Sequence, residues 1–203
     1  LSDLIPRSAD GSPDAIALTF AKQSISYADL ASAQQNFANG AVHLGLQRGE
    51  RIAIYLEKRF ETVIASFGAP AAGCVFVPLN PLLKPEQVAY IMRDCNVRML
   101  ITSPERHALL TEALASCDDL RHIVLINSSQ PVTSTGNLSL LSWNELLQMP
   151  AHSGHRVIDT DMTAILYTSG STGKPKGVVL SHRNMVAGAK SVAGYLENSI
   201  DDT

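Results

Sequence analysis

Short apolar runs alternate with longer amphipathic stretches along most of the chain. Ala15-Ile16-Ala17-Leu18-Thr19-Phe20 and Ile25-Ser26 flank Ala21-Lys22-Gln23, a pattern that predicts a β-hairpin. Ser26 followed by Asp29 is close to a capping box. Leu30, Ala33, Phe37, Ala38, Ala41 and Val42 then recur at helical spacing, and Gly45 and Gly49 close that helix. Residues 51–56 read as a strand. Residues 60–72 are apolar around much of a helical circumference, so this helix is expected between layers, bent or shortened by Pro70. Val75-Phe76-Val77 is the next strand, followed by a turn punctuated by Pro78, Pro81 and Pro85. A helix is predicted over Glu86 to Asp94, with Val88, Ile91 and Met92 on one face. A strand over 97–102, a helix opened by Ser103-Pro104-Glu105 and a strand over 122–126 follow. The polar, Ser/Thr-rich stretch Asn127 to Leu138 reads as a surface loop. Ser142 caps a short helix, Trp143 to Gln148, and Met149 to Asp159 reads as a connection.

Strands alternating with helices at this spacing argue for βαβ units and a mostly parallel sheet flanked by helices, an α/β fold. Near the end, Ala164-Ile165-Leu166-Tyr167 and Val178-Val179-Leu180 predict two more strands joined by a glycine-rich loop, a β-hairpin. The division expected is a first α/β unit over 1–150 and the start of a second over 151–203.

The chain has 203 residues, 45% hydrophobic and 17% charged, which suits a packed core rather than disorder. A net charge of −3 gives no reason to expect nucleic acid or an anionic membrane as partner. No apolar run reaches the length of a membrane span, and no secretory leader pattern is visible. Cys74, Cys95 and Cys117 are odd in number and show no CxxC spacing, so free buried thiols in a reducing cytoplasm are expected. No metal site is expected. His152 and His155 fall in the connection and read as solvated loop histidines.

The chemistry concentrates in Tyr167-Thr168-Ser169-Gly170-Ser171-Thr172-Gly173-Lys174-Pro175-Lys176-Gly177. Glycines let backbone N–H groups turn toward an anion, hydroxyls add neutral donors, and lysines bring mobile positive charge. Taken together they point to phosphate, with an ordinary surface hairpin as the bland alternative. The spacing is not that of a Walker loop. Gly173-Lys174 is followed by Pro175 rather than Ser or Thr, and a strand pattern follows where that loop opens a helix.

Ile165 to Lys176 resembles, position by position, the AMP-binding signature of adenylate-forming enzymes: acyl-CoA ligases, peptide-synthetase adenylation domains and beetle luciferases. Leu180-Ser181-His182-Arg183-Asn184 is also typical of that family. Ser26-Tyr27-Ala28-Asp29-Leu30, Gly49-Glu50-Arg51-Ile52-Ala53-Ile54 and the segment from Ala72 to Pro81 resemble its upstream elements. The likeness covers essentially the whole chain and implies part of the large N-terminal domain of such an enzyme.

The resemblance implies ATP-dependent activation of a carboxylic acid to an acyl-adenylate, with release of pyrophosphate and transfer to the thiol of coenzyme A. Amino-acid loading of a carrier protein is the alternative within adenylation, and a non-catalytic anion-binding α/β module the alternative outside it. Thr168, Ser169, Gly170, Ser171, Thr172, Gly173, Lys174 and Lys176 would bind the β- and γ-phosphates. Lys176 takes the catalytic role, because it matches the family's Pro-Lys-Gly position, while Lys174 falls at a variable one. Mg²⁺ is implied with ATP, its acidic ligand lying downstream, so this stretch alone is expected to be inactive. The entropy cost of ordering the loop is comparable to the return from its charge-assisted hydrogen bonds, so it is expected to move when empty and close over nucleotide. His182 is expected to cap or pack at the start of a helix over Ser181 to Leu196, and Tyr167 to be core.

Overall fold

The computed structural model describes residues 1–128, 133–152, 154–168 and 174–199. Helix α1 (Leu4–Gly11) precedes a hairpin of β1 (Ile16–Phe20) and β2 (Gln23–Ser26), whose strands pair antiparallel. Helix α2 (Tyr27–His43) starts at Ser26, whose Oγ accepts from the Asp29 N–H, as the capping pattern predicts. Then come β3 (Arg51–Tyr55), α3 (Phe60–Ala71), β4 (Val75–Pro78), α4 (Pro85–Asp94), β5 (Val97–Thr102), α5 (Pro104–Leu114) and β6 (His122–Leu125). The chain continues through β7 (Thr133–Thr135), β8 (Leu138–Ser142), α6 (Trp143–Leu147), β9 (Met162–Thr168), β10 (Lys176–Ser181) and α7 (His182–Tyr195).

One eight-stranded sheet runs β10-β9-β4-β3-β5-β6-β8-β7. The six inner strands are parallel, and β10 and β7 join the two edges antiparallel. Alternation along β3 sorts its side chains to two faces. Ile52 and Ile54 meet α1, α2, α3 and α6, while Ala53 and Tyr55 meet α4 and α5. Crossovers toward the β9 side pass over the first face and those toward the β6 side over the second, as a single hand of crossover requires. Pro70 is the next-to-last residue of α3, where the helix is already closing.

Two expectations are corrected, and one helix was not anticipated. The stretch Asn127 to Leu138 is not all loop: β7 occupies three of its residues and Leu138 begins β8, which pairs with β6 in parallel. The ladder groups that β6 leaves open are satisfied by β8, and that gain overrides a polar local composition. Helix α1 carried no signal, since Ile5 is its one buried residue and its N-cap Asp3 makes no side-chain capping bond. His155 is not a solvated loop residue. Its Nε2 lies 2.9 Å from the Leu46 carbonyl, and its side chain covers Gly73, where a Cβ would come within 2.9 Å of the His155 Cβ. The three cysteines are buried and free, as expected.

Candidate functional site

Strands β9 and β10 form the hairpin predicted around the glycine-rich loop. Thr168, the last residue of β9, is the cross-strand partner of Lys176, the first of β10, so residues 169–175 span the gap between them. Both side chains are exposed at the mouth of that loop. Ser169, Gly170, Ser171, Thr172 and Gly173 lie outside the described residues, as does the loop motion expected of them. Gly177, opposite Tyr167, is required by packing: a Cβ there would stand 2.8 Å from Ile165 Cγ2 and 3.2 Å from Tyr167 Cζ.

The sheet places this hairpin. Strand β9 runs parallel to β4, so the loop leaves at the carboxyl end of the parallel strands. That is where open α/β sheets present their ligand sites, because loops converge there above the strand ends. A polyphosphate at this position would meet the Thr168 hydroxyl and the Lys174 and Lys176 ammonium groups, all suited to phosphate oxygens. Among the described residues no group of three or more His, Cys, Asp or Glu side chains is arranged to hold a metal ion.

Helix α4 supplies three contacts that sequence patterns did not reveal. The Lys174 ammonium lies over the Tyr90 ring, 6.0 Å from its centroid, and the Tyr90 hydroxyl donates to the Pro175 carbonyl at 3.4 Å. One turn later, Asp94 Oδ2 accepts a 2.5 Å hydrogen bond from the Tyr167 hydroxyl. Burial first, and this bond second, push the Tyr167 phenol far above its ordinary pKa, so it stays a donor at any working pH. Tyr167 is therefore half-buried, with its ring in the core and its hydroxyl engaged at the rim, a refinement of the expectation that it is simply core. An aromatic at a partly buried helix position signals packing, and only the docking of α4 against the hairpin identifies the partner.

On the far side of the hairpin, α7 begins with a reciprocal cap. Asn184 N–H donates to Ser181 Oγ, and the Ser181 N–H donates to Asn184 Oδ1. His182 is 4% exposed and its N–H donates to the Asp161 carbonyl. Burial lowers its pKa, which fits packing rather than ligand chemistry. Asp161 in turn takes both guanidinium contacts of Arg48, at 2.5 and 3.1 Å, tying the start of β9 to the turn before β3.

A separate depression of about 420 Å³ opens at the carboxyl ends of β3, β5 and β6, between Arg59 and Arg106. Its cations are already committed. Arg59 forks onto Glu61, while Arg106 stacks over Tyr55 at 4.7 Å and reaches Glu57 and the Pro81 carbonyl. The charges free to meet an anion at this end of the sheet are better sought at the hairpin.

Comparison with known proteins agrees with the geometry. The chain is 33% identical over 165 residues to the crotonobetaine/carnitine–CoA ligase of Salmonella typhi, covering 80% of this chain and 32% of that protein. It is 28% identical over 185 residues to tyrocidine synthase 2 of Brevibacillus parabrevis, covering 91% of this chain and 5% of that protein. The structure superposes on the anthranilate CoA ligase AuaEII in complex with anthranoyl-AMP with a TM-score of 0.82 at 27% identity, over 93% of this chain and 36% of that one. The chain thus spans about a third of the length of the CoA ligases it matches. The profile described as AMP-binding enzyme matches residues 5–203, and with this sheet and this hairpin the chain belongs to the AMP-binding enzyme family.

Proposed function

We propose that the protein containing this chain is an AMP-forming acyl-CoA ligase. A substrate carboxylate oxygen attacks the α-phosphorus of ATP, the bond to pyrophosphate breaks, and an acyl-adenylate forms. The thiol of coenzyme A then attacks the acyl carbon and AMP leaves. In this reading Thr168, Ser169, Gly170, Ser171, Thr172, Gly173 and Lys174 bind the β- and γ-phosphates. Lys176 stabilises the charge that builds on the departing pyrophosphate. Mg²⁺ enters with the nucleotide. The protein works in the cytoplasm, in keeping with three free buried thiols. Residues 151–203 open a second unit, although β9 shares the sheet of the first.

The observation that carries the reading is Lys176 standing across from Thr168 at the carboxyl end of a parallel sheet. The CoA ligases it resembles support coenzyme A as the acceptor. The match to tyrocidine synthase 2 keeps a second reading, in which an amino acid is adenylated and passed to a carrier protein. ATP–pyrophosphate exchange dependent on a carboxylic acid tests adenylation, and thioester formation with coenzyme A or a carrier protein separates the two. No exchange with a broad panel of acids would leave an anion-binding module instead.

A further inference from the structure

We infer that Tyr90 is a positioning residue for the two lysines of the loop, and that α4 holds both limbs of the hairpin through one of its faces. The inference rests on the reading that this loop binds polyphosphate. Tyr90 and Asp94 are four residues apart on α4, hence on one side of the helix. Asp94 holds Tyr167 on the leading strand, opposite Gly177. Tyr90 reaches the returning limb at Pro175, the residue between Lys174 and Lys176, and its ring lies beneath the Lys174 ammonium.

These contacts have a direct consequence for binding. A lysine ammonium on a free loop samples many orientations, and each must be given up when phosphate is gripped. An aromatic face attracts the ammonium without neutralising it, so it biases Lys174 toward the loop mouth and leaves its N–H donors for phosphate. The hydroxyl bond to Pro175 fixes the backbone from which both lysines project. Pro175, with no N–H and a fixed φ, transmits that restraint to its neighbours. Tyr90 touches no nucleotide in this scheme; it acts through the Lys174 ammonium and the Pro175 backbone.

The test uses the full-length protein with Tyr90→Phe, Tyr90→Leu, Lys174→Ala and the double variant Tyr90→Leu/Lys174→Ala. Pyrophosphate and ATP binding are measured by calorimetry, and KM for ATP and kcat by acid-dependent exchange. Tyr90→Leu is expected to weaken pyrophosphate binding and raise KM for ATP by roughly three- to tenfold, with kcat changed less than about twofold. Tyr90→Phe, which keeps the ring, should retain the larger part of the affinity. The double variant should be weaker than Lys174→Ala by less than the full effect of Tyr90→Leu, since the part of that effect that acts through the Lys174 ammonium is already lost. Effects that multiply, or wild-type affinity in Tyr90→Leu, would overturn the inference even where exchange proceeds normally. Preserved coupling between positions 90 and 174 in pyrophosphate binding, without exchange for any acid, would keep the inference and remove the ligase reading. A wild-type protein that binds neither nucleotide nor pyrophosphate would end both.

Discussion

Gly68 of α3 faces Phe37 of α2 so closely that a Cβ at Gly68 would stand 2.5 Å from Phe37 Cδ1. Phe37 is fully buried and meets Trp143 on its other side, with ring centroids 5.6 Å apart. The ring cannot yield without displacing α6. Gly68→Ala is therefore expected to destabilise the fold by about 1–3 kcal/mol through overpacking, despite alanine's better helix propensity. Urea unfolding of the variant and wild type would measure this. A stabilised variant would mean the two helices separate more readily than the packing indicates.

The thiols should be silent in the folded protein. Burial, ahead of any nearby charge, pushes Cys74 up to about 12 and Cys95 up to about 11, and it raises Cys117 as well. The thiolate is the reactive species, so alkylation at pH 8 is expected to be slow until denaturant is added, when three thiols per chain become available. Rapid labelling of the native protein would contradict the buried placement.

Mild acid should weaken the fold through histidine. Burial is the leading cause of lowered pKa values at His107, His122 and His182. The unfolded chain binds these protons near the ordinary value of 6.5, while the folded chain resists them to lower pH. Stability is fully present above that value and is lost as pH falls toward the folded-state values. Asp119 and Asp161 also have lowered pKa values, from hydrogen bonds to Asn96 and Arg48 respectively, but their loss begins only near pH 4. Urea midpoints should therefore drop between pH 7.5 and 5.5, and His122→Gln should shrink that drop. An unchanged pH dependence in His122→Gln would remove His122 from the account.

The two loop lysines should differ in kind. Lys176 projects from the first residue of β10, whose ladder fixes its backbone, whereas Lys174 lies outside the strand and leans on Tyr90. Lys176→Ala is expected to lower kcat for exchange by about 10²-fold or more, as loss of a transition-state charge contact does. Lys174→Ala should act mainly on KM for ATP. Equal kcat losses in the two variants would reverse the assignment of roles.

Much of the sheet was legible because its strands are short apolar runs bounded by turn residues, and its helices carry caps such as Ser26 with Asp29 and Ser142 with Glu145. The signature around Lys176 was legible because phosphate chemistry draws on a narrow set of residue types. Elements stabilised by what they dock against were not. Strand β8 is held by β6, and α1 by the surface of α2, so neither needs a strong local pattern.

From the chain alone came most of the elements in order, the mostly parallel βαβ character of the sheet and the chemical character of the hairpin loop, since periodicity, turn residues and side-chain type act locally. The tertiary structure decided which groups meet. That Tyr90 underlies Lys174 and bonds Pro175, that Asp94 holds Tyr167 and that His155 covers Gly73 depend on segments 73 to 85 residues apart in sequence being brought side by side. Such contacts are set by how layers pack, and no local pattern along the chain records them.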